Sequence, residues 1–321
     1  MIDKTTARIR SQLLRTIREY FYKNGYIETD TPILSPTLIP EAHIENFSTT
    51  YIDTQNKEHT LYLTPSPEIW LKRLIAQGYD KIYQITKSFR NTETLTTHHN
   101  PEFTMLEWYT IHTTHTEQIQ ITQNMLKTIA EEIPCPILKK NIEIISMEDA
   151  FKKHAGFSLL ENYEHKKLQK QAEKLNMNIN TDEEWEDTFH RIFLTHVEPY
   201  LPQDRPIALT DYPADIPCLA ENLPKTPWKA RWELYIKGIE IANCYQEARK
   251  EEELTQFYLN QADKKSHSKT PVKPDKEITE ISKKMPPVSG VALGIDRLLM
   301  IVSNKEDIRG VIFFPFFDKI V

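Results

Sequence analysis

The sequence is poor in cysteine, in glycine and in net positive charge, and each shortage closes off a class of explanation. Three cysteines (Cys135, Cys218 and Cys244) are scattered through 321 residues. They lack the paired spacing of a zinc site or a disulfide framework, which predicts a reducing compartment, the cytoplasm. Lys and Arg total 40 against 46 Asp and Glu, a net charge of −6. That argues against a nucleic-acid binder relying on a broad basic surface. No apolar run reaches membrane-spanning length, and the opening MIDKTTARIR has none of the apolar core of a signal peptide. With 7 glycines in the chain, each is expected where the backbone needs it.

What is present fits a soluble globular protein: 39% hydrophobic and 27% charged residues. Ile9, Leu13, Ile17 and Phe21 recur at four-residue spacing, which predicts an amphipathic helix over Thr5–Asn24 closed by Gly25. YIETDTPIL reads as extended and LYLT (61–64) as a short strand. Ser66 is then the expected N-cap of a helix, with Pro67 at its first position and Gly78 at its end. KIYQITKSF (81–89) and EFTMLEWYTI (102–111) alternate as strands and form an antiparallel pair across a polar loop. Residues 114–131 and 146–200 read as helical, the second block with a stripe through Trp185, Phe189, Ile192, Phe193 and Val197. PIALTD (206–211) and WELYIKGIEIANCY (232–245) are expected strands. DKKSHSKTPVKPDKE (263–277) reads as a loop, and SGVALG (289–294) as a strand entering a helix. The whole predicts one α+β domain on an antiparallel sheet flanked by helices, with a mainly helical insert at about 146–200.

Three constellations carry possible chemistry. Phe89-Arg90-Asn91 lies across from His99-Asn100-Pro101-Glu102-Phe103, and an arginine beside an aromatic ring suits a nucleotide. The same residues also fit a plain surface hairpin. In WELYIKGIEIANCYQE, Glu233 and Glu240 suit Mg²⁺ beside phosphates, but have opposite strand parity. A bulge near Gly238 would aim them together, and otherwise they face solvent. In SGVALGIDRL, Gly294 and Arg297 mark a strand–helix junction that fits either a nucleotide grip or an ordinary turn.

Together and in this order, the three resemble the signature motifs of class II aminoacyl-tRNA synthetases. YFYKNGYIETDTPIL is similar to the first, SFRN…HHNPEFTMLEWY to the second and GVALGIDRL to the third. HNPEFTM followed by a Glu and an aromatic resembles the lysyl branch. The first-motif helix begins almost at Met1, and no N-terminal OB-fold is expected. A free-standing core of this kind resembles the ligase family that attaches (R)-β-lysine to elongation factor P. Ser66 before Pro67-Glu68, and Ala292 in the third motif, stand where lysyl-tRNA synthetases have alanine and glycine. One methyl at a pocket wall shifts selectivity by about 1–3 kcal/mol.

The resemblance implies ATP and Mg²⁺ as cofactors. Arg90, Asn91, Thr92, Glu93, His99, Asn100, Phe103, Glu240, Ile241, Gly294 and Arg297 would hold ATP. Arg90 would be the catalytic residue, and Phe103 and Arg297 would bracket the adenine. Glu233 and Glu240 would hold the metal. Ser66, Pro67, Glu68, Glu107, Tyr109, Asn243, Tyr245, Glu247 and Ala292 would line the amino-acid pocket, with Glu107, Tyr109 and Glu247 at the distal amine. The implied partners are β-lysine, elongation factor P and a second copy of the chain, with no tRNA and no membrane. A truncated lysyl-tRNA synthetase paralogue and a non-catalytic regulator are the other readings. The chain departs from the family pattern in a loop between Asn91 and His99 that is one residue longer, which displaces the usual glutamate to Glu93.

Overall fold

The computed structural model describes residues 2–92, 96–180, 182–272, 275 and 277–316. Its strands are β1 (Ile27–Glu28), β2 (Leu34–Ser35), β3 (Ser48–Ile52), β4 (Glu58–Leu63), β5 (Lys81–Phe89), β6 (Glu102–Ile111), β7 (Glu143–Ser146), β8 (Ile207–Pro213), β9 (Trp228–Ile236), β10 (Ile239–Gln246) and β11 (Val288–Gly294). Its α-helices are α1 (Lys4–Lys23), α2 (Glu68–Ala76), α3 (His115–Glu132), α4 (Pro136–Lys139), α5 (Met147–Ala150), α6 (His165–Lys174), α7 (Trp185–Ile192), α8 (Glu251–Ser266), α9 (Ile278–Lys284) and α10 (Ile295–Ser303).

Eight strands form one sheet in the order β1-β5-β6-β11-β10-β9-β8-β7, and β2-β4-β3 form a small second sheet. The centre of the large sheet is antiparallel as expected, but both edge pairs, β1 with β5 and β7 with β8, are parallel. Each parallel pair is joined by a long crossover. For β7 to β8 that crossover is the helical block from Met147 to Tyr200, which buries Phe189, Ile192, Phe193 and Val197 against Ile207 and Leu209.

β6 explains its own mixed composition. Leu106 and Trp108 face a core built with Leu13, Ile17 and Phe21 of α1, Met125 of α3 and Leu298 of α10. The Phe21 ring lies 5.4 Å from Trp108 and stacks at 4.6 Å on Tyr83. The odd-numbered residues Phe103, Met105, Glu107 and Tyr109 project to the opposite face, as period-two geometry requires. Glu102, at the strand's start, is exposed and pairs with Lys87 at 3.1 Å. α1 begins at an Asp3 cap, and Gly25, with φ +77°, turns the chain out of it.

Three expectations differ. Residues 232–245 are not one strand: Lys237 and Gly238 both take positive φ (53° and 74°) and make a two-residue hairpin turn between β9 and β10. Residues 263–266 are the end of α8 rather than loop. The expected loop continues beyond it, with Lys273, Pro274 and Lys276 outside the described residues. α2 begins at Glu68, so Pro67 occupies the cap position rather than the first helical one. Ser66 Oγ nonetheless accepts the Glu68 N–H at 3.0 Å.

Candidate active site

The face of the sheet opposite the helical core carries two joined cavities. The larger, about 380 Å³, is lined by Arg90, His99, Asn100, Phe103, Glu233, Glu240, Ile241, Gly294 and Arg297, all expected there from sequence. Its sides come from the ends of β5, β6, β10 and β11. The Arg90 guanidinium lies over the Phe103 ring at 5.3 Å. Arg297 reaches back from α10, donating to the Glu240 carbonyl at 2.9 Å, its carboxylate at 3.3 Å and the His98 carbonyl at 3.3 Å. Its Nη2 also meets His99 Nε2 at 2.9 Å. A guanidinium only donates, so His99 Nε2 accepts, and Nδ1–H faces Thr96 Oγ1 at 2.6 Å. Asn91 and Thr92 line a neighbouring cavity of about 290 Å³ with Arg90 and His99. Glu93 lies outside the described residues. Asn100 is tied to backbone at both ends of its amide, donating to the Glu102 carbonyl at 2.5 Å and accepting the Phe316 N–H at 3.1 Å.

The two acids come together by a different route from the bulge near Gly238 that sequence required. Across the hairpin, Glu240 pairs with Tyr235 and Asn243 with Glu233, and the register slips between Glu240 and Ala242. The hairpin pairing itself puts Glu240 on the face shared by Tyr235 and Glu233, and the bulge brings Asn243, three residues on, to that same face. Burial, then Glu233, pushes the Glu240 carboxyl up. Glu233 accepts from Tyr212 at 2.5 Å, Tyr235 at 2.7 Å and Arg231 at 2.5 Å. Two carboxylates on the wall of the larger cavity fit Mg²⁺, which would take its remaining ligands from water and phosphate. Two acids brought to one face, with Glu233 raising Glu240 even beside Arg297, are the observation that favours a cation there.

The smaller cavity, about 80 Å³, is lined by Ser66, Glu68, Glu107, Tyr109, Asn243, Tyr245, Glu247 and Ala292. Pro67 is not on its wall. Ser66 Oγ donates to Glu107 Oε2 at 2.5 Å and Tyr109 to Oε1 at 3.0 Å. Burial, then the Glu68 charge, pushes the Glu107 carboxyl up to about 8. Burial also raises Glu247 to about 7, against the pull of Lys72.

Sequence reading missed Lys72, which is 1% exposed and bridges Glu68 at 2.5 Å and Glu247 at 2.8 Å. The signal was an i,i+4 Glu–Lys pair on an apolar helix. It also missed Glu41, which lines both cavities, and Arg231, which lines the larger. Arg10 of α1 pairs with Asp296 at 2.5 Å and donates to Thr104 at 2.8 Å. Asp296 in turn accepts the Thr104 N–H at 2.6 Å. This buried network ties α1, β6 and α10, and so all three motifs, to one another.

The family model described as tRNA synthetases class II (D, K and N) matches residues 3–318. The chain belongs to the class II aminoacyl-tRNA synthetase family. Within it, the elongation factor P–(R)-β-lysine ligase of Hamiltonella defensa is 34% identical over 312 residues, covering 95% of this chain and 93% of that protein. The protein of the same name from Haemophilus influenzae (strain PittGG) is 36% identical over 309 residues, covering 95% and 93%. That of Yersinia pestis (strain Pestoides F) is 35% identical over 312 residues, with the same coverage. The class II synthetase fold therefore accounts for the sheet.

Proposed function

We propose that this protein is an ATP-dependent ligase that activates (R)-β-lysine as an adenylate, with release of pyrophosphate. It then transfers the β-lysyl group to a lysine side chain of elongation factor P, releasing AMP. The observation that carries this reading is the joining of an arginine-flanked, nucleotide-sized cavity to a small pocket lined by four carboxyls. Such a pocket suits a substrate with two ammonium groups, because buried ammonium needs paired anions. Relatives named for this activity align along 95% of the chain.

Activation needs no general base, since the substrate carboxylate is already ionised. It attacks the α-phosphorus directly, and the residues' task is alignment and charge neutralisation. Arg90, at the junction of the cavities, is placed to hold both the carboxylate and the α-phosphate, with Asn243 beside the carboxylate. Phe103 and Arg297 take the two faces of the adenine, and His99, Asn91 and Thr92 flank the phosphate end. Glu240 and Glu233 would hold Mg²⁺, which supplies positive charge to the phosphates when bound. Ser66 and Ala292 narrow the amino-acid pocket and favour the β isomer.

The protein acts as a single catalytic domain in the cytoplasm, and tRNA is not its acceptor. Among the described residues no helix is long and apolar enough to cross a membrane. Exposed Tyr22, Ile27, Ile33 and Leu34 on the first motif support a homodimer through that surface. ATP–pyrophosphate exchange driven by (R)-β-lysine against α-lysine tests the substrate. The β isomer should be preferred, and a strong preference for α-lysine would refute the assignment.

A further inference from the structure

One carboxyl of the site, Glu41, lies on the loop between β2 and β3, outside every constellation picked out from sequence. The two cavities share Glu41, Ile44, Arg90, Met105, Asn243 and Ala292 as lining. Nucleotide and amino acid must meet at this shared wall, and Glu41 is its one acid among the described residues. The loop bearing it is fixed by α8. The Ala42 N–H donates to Gln261 Oε1 at 2.7 Å, and Lys265 donates to the Ile44 carbonyl. Gln261 and Lys265 are themselves buried, and Ile39 packs with Ile69 and Leu254. Such anchoring holds a side chain in place before substrate arrives.

The charges of the smaller pocket are unequally matched. Glu41, Glu68, Glu107 and Glu247 all line it. Lys72 bridges Glu68 and Glu247, and Ser66 and Tyr109 donate to Glu107. Among the described residues no group donates a hydrogen bond to the Glu41 carboxylate. Glu68, Arg90, Lys72 and His43 face it, with Tyr245 and Lys265 near by. Burial, then the Glu68 charge, pushes its carboxyl up to about 7. An ammonium placed here would relieve that repulsion.

We infer that Glu41 receives the substrate amine nearest the reacting carboxylate, leaving Glu107 and Glu247 to the distal amine. This rests on the proposed activation of a diamino acid. Glu68, already spent on Lys72, then acts by holding the pocket together rather than by pairing with the proximal amine. A fixed anion beside Arg90 and Asn243 sets how far from the carboxylate that amine must lie, and so contributes to the choice between α and β isomers.

The test is ATP–pyrophosphate exchange with (R)-β-lysine and with 6-aminohexanoate, which keeps the carboxylate and the distal amine but lacks the proximal one. Wild-type protein should prefer (R)-β-lysine in kcat/KM by roughly 10- to 100-fold, the worth of a charge-assisted hydrogen bond. Glu41→Gln should collapse that preference towards unity, mainly through KM for (R)-β-lysine. Glu68→Gln should weaken both substrates in parallel. A Glu41→Gln variant that lowers both substrates equally, or a preference lost with Glu68→Gln instead, would overturn the inference. Wild-type protein inert towards (R)-β-lysine would refute the functional reading itself, and this assignment with it.

Discussion

Four carboxyls in one small pocket make the protonation of each depend on what else is bound. Glu107 is raised to about 8 and Glu247 to about 7, in both cases chiefly by burial. In the free protein these groups therefore hold protons at neutral pH that a diammonium substrate would displace. The sign follows from linkage: the free state binds more protons than the complex, so affinity rises as pH rises through 7 to 8. KM for (R)-β-lysine should fall between pH 6.5 and 8, by up to about tenfold per pH unit for each group displaced. A KM that is flat or rising over that range would contradict this account of the pocket. Lys72→Met should destabilise the protein by roughly 3–5 kcal/mol in denaturant unfolding, because two buried acids lose their cation. A loss under about 1 kcal/mol would mean that water already serves Glu68 and Glu247. Lys72 was hidden in the sequence because a helical lysine reads as solvated until its burial is known. Glu41 was hidden because it sits on a loop with no periodic pattern, brought to the site by α8.

Among the elements, β5 and β6 were legible to the residue, since alternation on a two-faced strand is a strong local signal. β9 and β10 ran together because Lys237 at positive φ carries no mark in the sequence, and Gly238 alone reads equally as a bulge. α8 was missed because its Lys- and Ser-rich end resembles a break, although Leu254 and Tyr258 are buried on one side of it. The pairing of β11 with β6 carries a steric demand. Gly290 lies opposite Tyr109, and a Cβ there would come 2.4 Å from the tyrosine ring. Gly290→Ala should therefore displace Tyr109 from Glu107 and raise KM for the amino acid about tenfold or more, while ATP binding is affected less. Equal loss of both affinities in exchange assays would point to a general disruption of the sheet instead.

At the scale of the whole molecule, three motifs far apart in sequence meet on one sheet and are joined by Arg10, Thr104 and Asp296. The order of the motifs made the family legible before any fold was known. The parallel edges were not legible, because they depend on where long crossovers return rather than on local pattern. The exposed apolar residues Tyr22, Ile27, Ile33 and Leu34 predict a dimer mass in sedimentation velocity, and Leu34→Glu combined with Tyr22→Glu should shift it towards monomer. A monomeric wild-type protein at micromolar concentration would refute that interface. The central claim is the transfer itself, and intact-mass measurement of elongation factor P tests it most directly. Incubated with this protein, ATP, Mg²⁺ and (R)-β-lysine, elongation factor P should gain the mass of one β-lysyl group. The gain should need ATP and disappear with the Arg90→Ala variant. An unmodified elongation factor P, under conditions where the same enzyme sample sustains ATP–pyrophosphate exchange, would contradict it.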